Sequence, residues 1–195
     1  MKSVSALNNV HKLGLFGNYD NKNDKNLIKV SEIKNLLIVQ IVQYKNSKIL
    51  LEDLNIDNLY LKNEPLTVVC NNDTRILWNG PNNWLLVSTK KDLLKSITET
   101  FKGSDFAVTD LSHSKAIIVL EGENSKEVLK KGCPYNFNEL NNNICVNSVF
   151  NGITITIDMI EENPIKIRIF ALRSFGESLY ESITDACLED GYKGT

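Results

Sequence analysis

Residues 75–87 consist of two short apolar runs separated by an Asn-Gly-Pro-Asn-Asn segment. That segment favours a turn, because Gly80 accepts a positive φ and Pro81 fixes φ for the bend. Each flanking run carries one of the two tryptophans of the chain, Trp78 and Trp84. The pattern therefore predicts a β-hairpin that holds both tryptophans, and with it an antiparallel sheet.

Size and composition indicate a soluble globular protein. The chain has 195 residues, 42% hydrophobic and 24% charged, and should bury about 70% of its unfolded surface. A net charge of −2 and a pI of about 5.8 argue against a nucleic-acid partner, which requires a basic surface. Residues 1–9 lack a secretory core, and no apolar run approaches the ~18 residues of a membrane span. We therefore expect a cytoplasmic protein without a membrane partner.

From residue 36 onwards the hydrophobic periodicity predicts alternating strands and helices. Strands are predicted at 36–42, 66–70 and 106–111, the tryptophan hairpin lies between them, and helices are predicted within 47–56 and at 91–101. The second half predicts strands at 115–120, 144–150, 153–157 and 165–171, and helices at 124–131 and 175–188. This order is typical of the split βαβ plan, with helices on one face of antiparallel sheets. We predict a single α+β domain at 36–195, built from two ferredoxin-like halves at about 36–112 and 113–195.

Residues 1–35 are polar, lack sustained periodicity and are predicted to form an N-terminal arm. The arm contains a small apolar island, Leu-Gly-Leu-Phe-Gly at 13–17, which includes Leu15 and Phe16. A solvated arm would not expose these side chains together, so we expect the arm to dock. Its docking site is either its own domain or a partner. We predict that deletion of 1–35 loosens assembly and leaves the domain folded; failure to fold would assign the arm to its own core.

Two residue groups invite a catalytic or metal-binding interpretation. Residues 110–113, Asp-Leu-Ser-His, contain the residue types of a nucleophilic triad, but triads are assembled across a fold rather than in a run. On a strand, Asp110 and Ser112 share one face and His113 points to the other, so we expect local backbone hydrogen bonds instead. Four widely spaced cysteines form no Cys-x-x-Cys pair, which favours reduced, mostly buried thiols over a zinc site: Cys70, Cys133, Cys145 and Cys187.

Three segments of the chain, taken together, resemble one known family. They are the tryptophan hairpin at 77–85, the run 109–112 followed by 118–122 and 128–134, and the run 173–179 that opens the last predicted helix. In order and spacing they resemble the gamma subunit of heterotetrameric sarcosine oxidase, a smaller relative of the glycine-cleavage aminomethyltransferase. The resemblance covers roughly residues 35–190.

The resemblance implies an aminomethyltransferase-like, folate-binding-domain-like fold. It also implies membership of an oxidase complex that demethylates sarcosine and passes the one-carbon unit to tetrahydrofolate. The implied partners are alpha, beta and delta subunits, which would hold FAD, FMN, NAD, tetrahydrofolate and zinc. This chain would hold no cofactor and would act in assembly without catalysis. The residues agree, since the sequence contains neither a G-x-G-x-x-G loop after a strand nor clustered metal ligands.

Six residues are candidates for a partner interface: Trp78, Trp84, Arg173, Phe175, Leu15 and Phe16. Tryptophan and arginine are enriched at binding hot spots, although Trp84 is equally suited to fill the core. Arg173 directly precedes a predicted helix start, where a cation opposes the positive end of the helix. We therefore expect it to pair with Glu177 or with a carboxylate of a neighbouring subunit.

Two other functions fit the same sequence. The first is a stand-alone tetrahydrofolate-dependent one-carbon transferase or folate sensor. Folate binding in the aminomethyltransferase relatives relies on a glycine-rich approach and paired aspartates, whereas the corresponding stretch 70–74 has one acid and no glycine pair. The second is a scaffold for a different amine dehydrogenase.

Overall fold

A computed structural model describes residues 4–20 and 27–195, which form two units of mixed α and β structure. The first unit comprises the described residues of 1–34 together with 114–142 and 146–195. The second comprises 35–113 and 143–145. The α+β class predicted from the sequence is confirmed.

The described residues contain fourteen strands and three α-helices, joined by loops and short 3-10 turns. The strands are β1 (Gly14–Phe16), β2 (Ile28–Glu32), β3 (Leu37–Gln43), β4 (Asn55–Ile56), β5 (Leu59–Tyr60), β6 (Val68–Cys70), β7 (Thr74–Gly80), β8 (Asn83–Ser88), β9 (Phe106–Asp110), β10 (Lys115–Glu121), β11 (Cys145–Phe150), β12 (Ile153–Glu162), β13 (Ile165–Leu172) and β14 (Tyr192–Gly194). The helices are α1 (Leu93–Thr100), α2 (Ser125–Lys130) and α3 (Gly176–Cys187). No helix among these residues is long and apolar enough to cross a membrane.

The second unit is built on a five-stranded antiparallel sheet with the order β6-β7-β8-β3-β9. The predicted tryptophan hairpin is confirmed as β7 and β8, and Trp78 lies directly opposite Trp84 across the two strands. Pro81 and Asn82, which has φ of 55°, form the turn. The sheet packs with α1 around a buried apolar core: Leu37, Val39, Ile41, Ile56, Leu59, Leu61, Ile76, Trp84, Leu86, Ile97, Phe101 and Phe106.

The helix predicted within 47–56 is wrong. A 3-10 turn at Leu51–Asp53 replaces it, and the small hairpin β4-β5 follows. Asp57 and Asn58 connect the two strands with φ of 53° and 63°. Positive φ at both central residues is the type I′ geometry, which fits the twist of a hairpin and which Asn and Asp tolerate better than most residues.

The first unit is built on a seven-stranded sheet with the order β1-β14-β2-β10-β13-β12-β11. Strand β10 is paired antiparallel on both sides, with β2 and with β13, and β2 also pairs parallel with β14. The predicted hairpin around Asn151 and Gly152 is confirmed, with φ of 47° and 84° at these two residues. Helix α3 buries Leu179, Ile183 and Cys187 on one side, as the sequence pattern indicates.

Strands β1 and β2 both lie in the segment that the sequence analysis treats as an arm. Leu7 and Val30 are completely buried, and the Glu32 carboxylate accepts hydrogen bonds from the Ser5 hydroxyl and the Ala6 backbone N–H. The segment therefore docks on its own unit, while its residues 1–3 and 21–26 lie outside the described part. Because β2 is an internal strand between β14 and β10, the expectation that deletion of 1–35 leaves the domain folded does not suit this architecture.

We expect Leu7→Ala to lower the free energy of unfolding by about 2–5 kcal/mol, because it removes a fully buried side chain and leaves a cavity. The matched control is Leu13→Ala, since Leu13 is 74% exposed. It should change the unfolding free energy by about 0.5 kcal/mol or less. Urea unfolding followed by circular dichroism measures both variants. Equal stability of the two would show that the N-terminal segment is not part of the core.

Candidate functional site

The two indole rings of the hairpin hold the segment that precedes β6. The Trp84 Nε1–H donates to the Lys62 carbonyl at 2.7 Å. The Trp78 Nε1–H donates to Asn63 Oδ1 at 3.3 Å, and the same oxygen accepts the backbone N–H of Asn82 at 3.0 Å. Trp84 is only 1% exposed and packs in the core of its unit, so its assignment to a partner interface is corrected to a structural one. Trp78 remains half-buried.

Arg173 and Phe175 lie on a 3-10 turn, Arg173–Phe175, that joins β13 to α3. The Arg173 guanidinium donates to the Val4 carbonyl. Of the two expected partners, Glu177 does not pair with Arg173 in the described residues, and its carboxylate accepts a hydrogen bond from Asn9 Nδ2 at 2.7 Å. The other expected partner, a carboxylate of a neighbouring subunit, stays a prediction. The charge of the Arg173 guanidinium is thus stabilised in part by a carbonyl dipole of its own unit.

Three exposed apolar residues are neighbours of Arg173, two along the chain and one through a hydrogen bond. Leu172 and Phe175 flank it in sequence and are each 49% exposed, and Val4, whose carbonyl it binds, is 67% exposed. We call Val4, Leu172 and Phe175 the Phe175 patch. Exposed apolar side chains of this size are frequent at protein–protein contact sites when they form a continuous patch.

The apolar island at 13–17 is divided between core and surface. Phe16 is half-buried and stacks on Tyr192, with ring centroids 5.1 Å apart. Leu15 is 40% and Leu13 is 74% exposed. Strand β1 forms one edge of the seven-stranded sheet, so these two leucines flank a sheet edge. Exposed edges of this kind are places where a partner can pair.

The Asp-Leu-Ser-His run forms a strand end, as expected, and not a nucleophilic triad. The Ser112 hydroxyl donates to Asp110 Oδ1 at 2.5 Å and accepts the Ile38 backbone N–H at 3.0 Å. The Ser112 backbone N–H also donates to Asp110 Oδ1 at 2.9 Å. His113 is exposed. The predicted local backbone hydrogen bonds are confirmed, and they engage the hydroxyl that a triad would use as its nucleophile.

Three of the cysteines are buried and Cys70 is partly buried, and all four carry thiols rather than disulfide bonds. Burial raises the pKa of the Cys187 thiol to about 12, so this thiol stays protonated and unreactive near neutral pH. The Cys70 thiol donates to Asn143 Oδ1 at 3.3 Å. Within the described residues, no group of three or more His, Cys, Asp or Glu side chains could hold a metal ion.

A polar network around Asp57 was missed by the sequence reasoning. The Asp57 carboxylate accepts hydrogen bonds from Lys90 Nζ at 2.8 Å and from the Thr74 hydroxyl at 2.7 Å. Asn71 Nδ2 donates to the same carboxylate at 3.1 Å, and Lys90 Nζ also lies 3.2 Å from Asp73. The hydrogen bonds from Lys90 and Thr74 lower the pKa of Asp57 to about 2. This network engages Asn71, Asp73 and Thr74, the polar side chains of the stretch 71–74.

The Asp57 network should make stability depend on acid pH. The pKa of Asp57 falls from 3.8 to about 2 on folding, so its ionised form stabilises the folded state. This contribution is fully present above pH 3.8 and is lost as the pH falls towards 2. We expect Asp57→Asn to have a lower melting temperature than the wild type near neutral pH. At about pH 3 the difference in melting temperature between the two proteins should be smaller, because the wild type loses the contribution of the ionised carboxylate.

Differential scanning calorimetry of the two proteins over this pH range checks the prediction. The matched control is Asp53→Asn, because Asp53 is exposed on the neighbouring 3-10 turn. This control should follow the wild-type pH profile. An Asp57→Asn profile parallel to that of the wild type would mean that the carboxylate contributes nothing to stability.

The architecture defines a class of protein first. Both units combine an antiparallel or mainly antiparallel sheet with helices, and solved proteins share this fold. The aminomethyltransferase T of the glycine cleavage system from Bartonella henselae matches with a TM-score of 0.58 and 14% identity, over 82% of this chain and 46% of that one. The chain is thus an α+β protein with a fold similar to the aminomethyltransferase, and it spans less than half of that enzyme.

A second solved structure and a family model narrow the assignment. A chain of the heterotetrameric sarcosine oxidase from Corynebacterium sp. U-96, solved in complex with pyrrole 2-carboxylate, matches with a TM-score of 0.75 and 21% identity. It covers 86% of this chain and 88% of that one. No curated protein is similar enough to count as a match. The model of the sarcosine oxidase, gamma subunit family matches residues 58–189, so the chain belongs to that family. The resemblance noted in the sequence is confirmed.

Proposed function

We propose that this chain acts as a non-catalytic gamma subunit that packs against the larger subunits of a sarcosine-oxidase-type complex. Family membership over residues 58–189 carries the proposal. A structural match along most of both chains with a chain from a heterotetrameric sarcosine oxidase supports it. The complex would oxidatively demethylate sarcosine and pass the one-carbon unit to tetrahydrofolate.

The proposed partners are the alpha, beta and delta subunits of such a complex, in the cytoplasm. These subunits would hold FAD, FMN, NAD, tetrahydrofolate and zinc, and this chain would supply binding surface. Three observations support that division of labour: the serine of the triad-like run is engaged locally, Cys187 is an unreactive thiol, and Asp57 is saturated by neighbouring donors. These three side chains thus serve the local structure rather than chemistry.

We propose the Phe175 patch as the main contact surface of the first unit, with Arg173 at its centre. Leu15 and Phe16 at the sheet edge would form a second contact. In the second unit, Trp78 is the candidate from the original set that retains exposed surface. Aromatic and arginine side chains in such positions release solvent from a large area on binding.

The fold similarity to the aminomethyltransferase is the one observation that favours a tetrahydrofolate-dependent enzyme or sensor instead. Against this, Asn71 and Asp73 are tied to Asp57 and Lys90 within the chain. Isothermal titration of the isolated chain with tetrahydrofolate separates the two functions. We expect no saturable binding at micromolar concentrations, and tight stoichiometric binding would favour the enzyme.

We expect Phe175→Ala to reduce co-purification with the large subunits about tenfold, because it truncates an aromatic side chain that is 49% exposed and has no core role. The melting temperature of the isolated chain should stay within about 2 °C of the wild type, as for surface substitutions generally. Affinity purification of the co-expressed complex and thermal unfolding of the free chain measure the two effects.

Val149→Ala is the control for this experiment, since Val149 is 37% exposed on strand β11 of the same unit, outside the patch. Its complex yield should equal that of the wild type. Trp78→Ala and Arg173→Ala are predicted to weaken co-purification more than they lower the melting temperature. Unchanged yield in the Phe175, Trp78 and Arg173 variants would count against an interface role for these positions.

A further inference from the structure

We propose that a cleft beside the tryptophan hairpin binds a segment of a partner subunit that carries an aliphatic side chain next to a lysine or arginine. This inference rests on the proposed function, because it names the kind of segment that one of the partners presents. The cleft has a volume of about 580 Å³ and lies wholly within the second unit. Its lining residues are Leu51, Glu52, Tyr60, Leu61, Lys62, Asn63 and Glu64. We call it the Tyr60 cleft.

The apolar part of the cleft suits one aliphatic side chain. Leu61 is 5% exposed and belongs to the core, and Leu51 packs against that core, so together they offer a fixed apolar floor. Tyr60 is 50% exposed at the mouth, and Leu50, next to Leu51 in the chain, is 58% exposed. Exposed large side chains around a partly buried floor favour a protein side chain inserted from outside.

The charged part of the cleft selects the neighbouring residue of the partner. Glu52, on the 3-10 turn Leu51–Asp53, and Glu64, which follows Lys62 and Asn63, both line the cleft. Both are exposed, and among the described residues the ion pairs of the second unit use Asp57, Asp73 and Glu99, which pair with Lys90 and Lys95. Two carboxylates and the single ammonium of Lys62 leave the lining with a net charge of −1. A partner lysine or arginine between the two glutamates would complement this charge.

The tryptophan hairpin keeps one wall of the cleft in place. Trp84 binds the Lys62 carbonyl, and Trp78 binds the Asn63 side-chain oxygen. Asn63 Nδ2 also donates to Asn82 Oδ1 at 2.8 Å, so the turn of the hairpin is hydrogen-bonded to the same lining segment. A wall held in advance loses little conformational entropy on binding, which favours affinity. In this arrangement the hairpin positions the wall, and the two glutamates contact the partner.

The first test places a photo-cross-linker at Tyr60 of the full-length chain in the purified complex, as Tyr60→p-benzoylphenylalanine. We expect a cross-link to a partner subunit at a segment that has an aliphatic residue within about one helical turn of a lysine or arginine. The control is the same substitution at Tyr44, which is 40% exposed in the same unit but outside the cleft lining. The Tyr44 variant should not cross-link to that segment.

A cross-link from position 60 to a second copy of this chain, to a segment without a basic residue, or to no protein at all would overturn the inference. In each case the complex itself would still form, so the proposed function would stand. If the wild-type chain does not co-purify with large subunits, both the proposed function and this inference fail. The two failures are therefore distinguishable.

The second test reverses one charge of the cleft. Glu52→Lys should raise the dissociation constant of the complex at least tenfold and reduce its dependence on salt, because the attraction to the partner cation becomes repulsion. Asp53→Lys is the matched control: it makes the same charge change one residue away, outside the lining. It should change the dissociation constant less than about threefold. Equal effects of the two variants would mean that only the overall charge matters and that no partner cation sits between the glutamates.

Discussion

The seven-stranded sheet depends on pairing between strands from the two ends of the chain. Strand β2 lies between β10 and β14, so the central β10 is covered on one side by an N-terminal strand. That strand is in turn covered by a C-terminal one. Such pairing is non-local, because it joins residues far apart in sequence. The chain therefore loses loop-closure entropy before the contacts of the sheet can compensate for that loss. The first unit therefore reaches its full sheet only when both ends of the chain are in place.

The sheet also sets the position of the Phe175 patch. Helix α3 begins at Gly176, where a Cβ atom would lie 2.8 Å from the Ala116 Cβ on strand β10. Only glycine permits that approach of the helix start to the strand without a shift. The 3-10 turn that carries Arg173 and Phe175 is fixed between this contact and the end of β13. The end of β13, the close contact of Gly176 with β10 and the hydrogen bond from Arg173 to the Val4 carbonyl thus fix the turn that carries this apolar surface.

Long alternating or continuous apolar runs made most of the fold predictable from the sequence. Strands β3, β8, β10 and β13 and helices α1 and α3 were all expected close to their observed positions. Strands β1, β2 and β14 were not, because each has three to five residues and its stabilising partner lies far away in sequence. The helix expected within 47–56 followed from leucine spacing alone. The adjacent Asp57-Asn58 pair, a hairpin signal between apolar residues, was the clue that should have counted against it.

The candidate site was less predictable, because the order of the strands in the sheet, and not the local sequence pattern, decides which of its residues are buried. Trp78 and Trp84 are cross-strand partners on one face of the sheet. The sequence left Trp84 open between the core and a partner interface. Strand β8 is internal, between β7 and β3, whereas the neighbour of β7 on its other side is the short edge strand β6. Trp84 is therefore covered and Trp78 is only half covered. The hairpin sequence alone does not show which strands lie beside β7 and β8.

The tryptophan hairpin both fills the core of the second unit and holds one side of the Tyr60 cleft, so substitution of its tryptophans would affect both at once. Removing the Trp84 indole takes away core volume and also frees the Lys62 carbonyl, so stability and the shape of the cleft would change together. Glu52 and Glu64 are different, because both are exposed side chains and neither belongs to the apolar core of the second unit. Their charge can be changed while the wall behind them keeps its hydrogen bonds. The groups that hold Lys62 and Asn63 in place are therefore different from the two carboxylates proposed to contact the partner. Because of this separation, a charge change at Glu52 or Glu64 would alter the proposed partner binding without altering the folding of this unit.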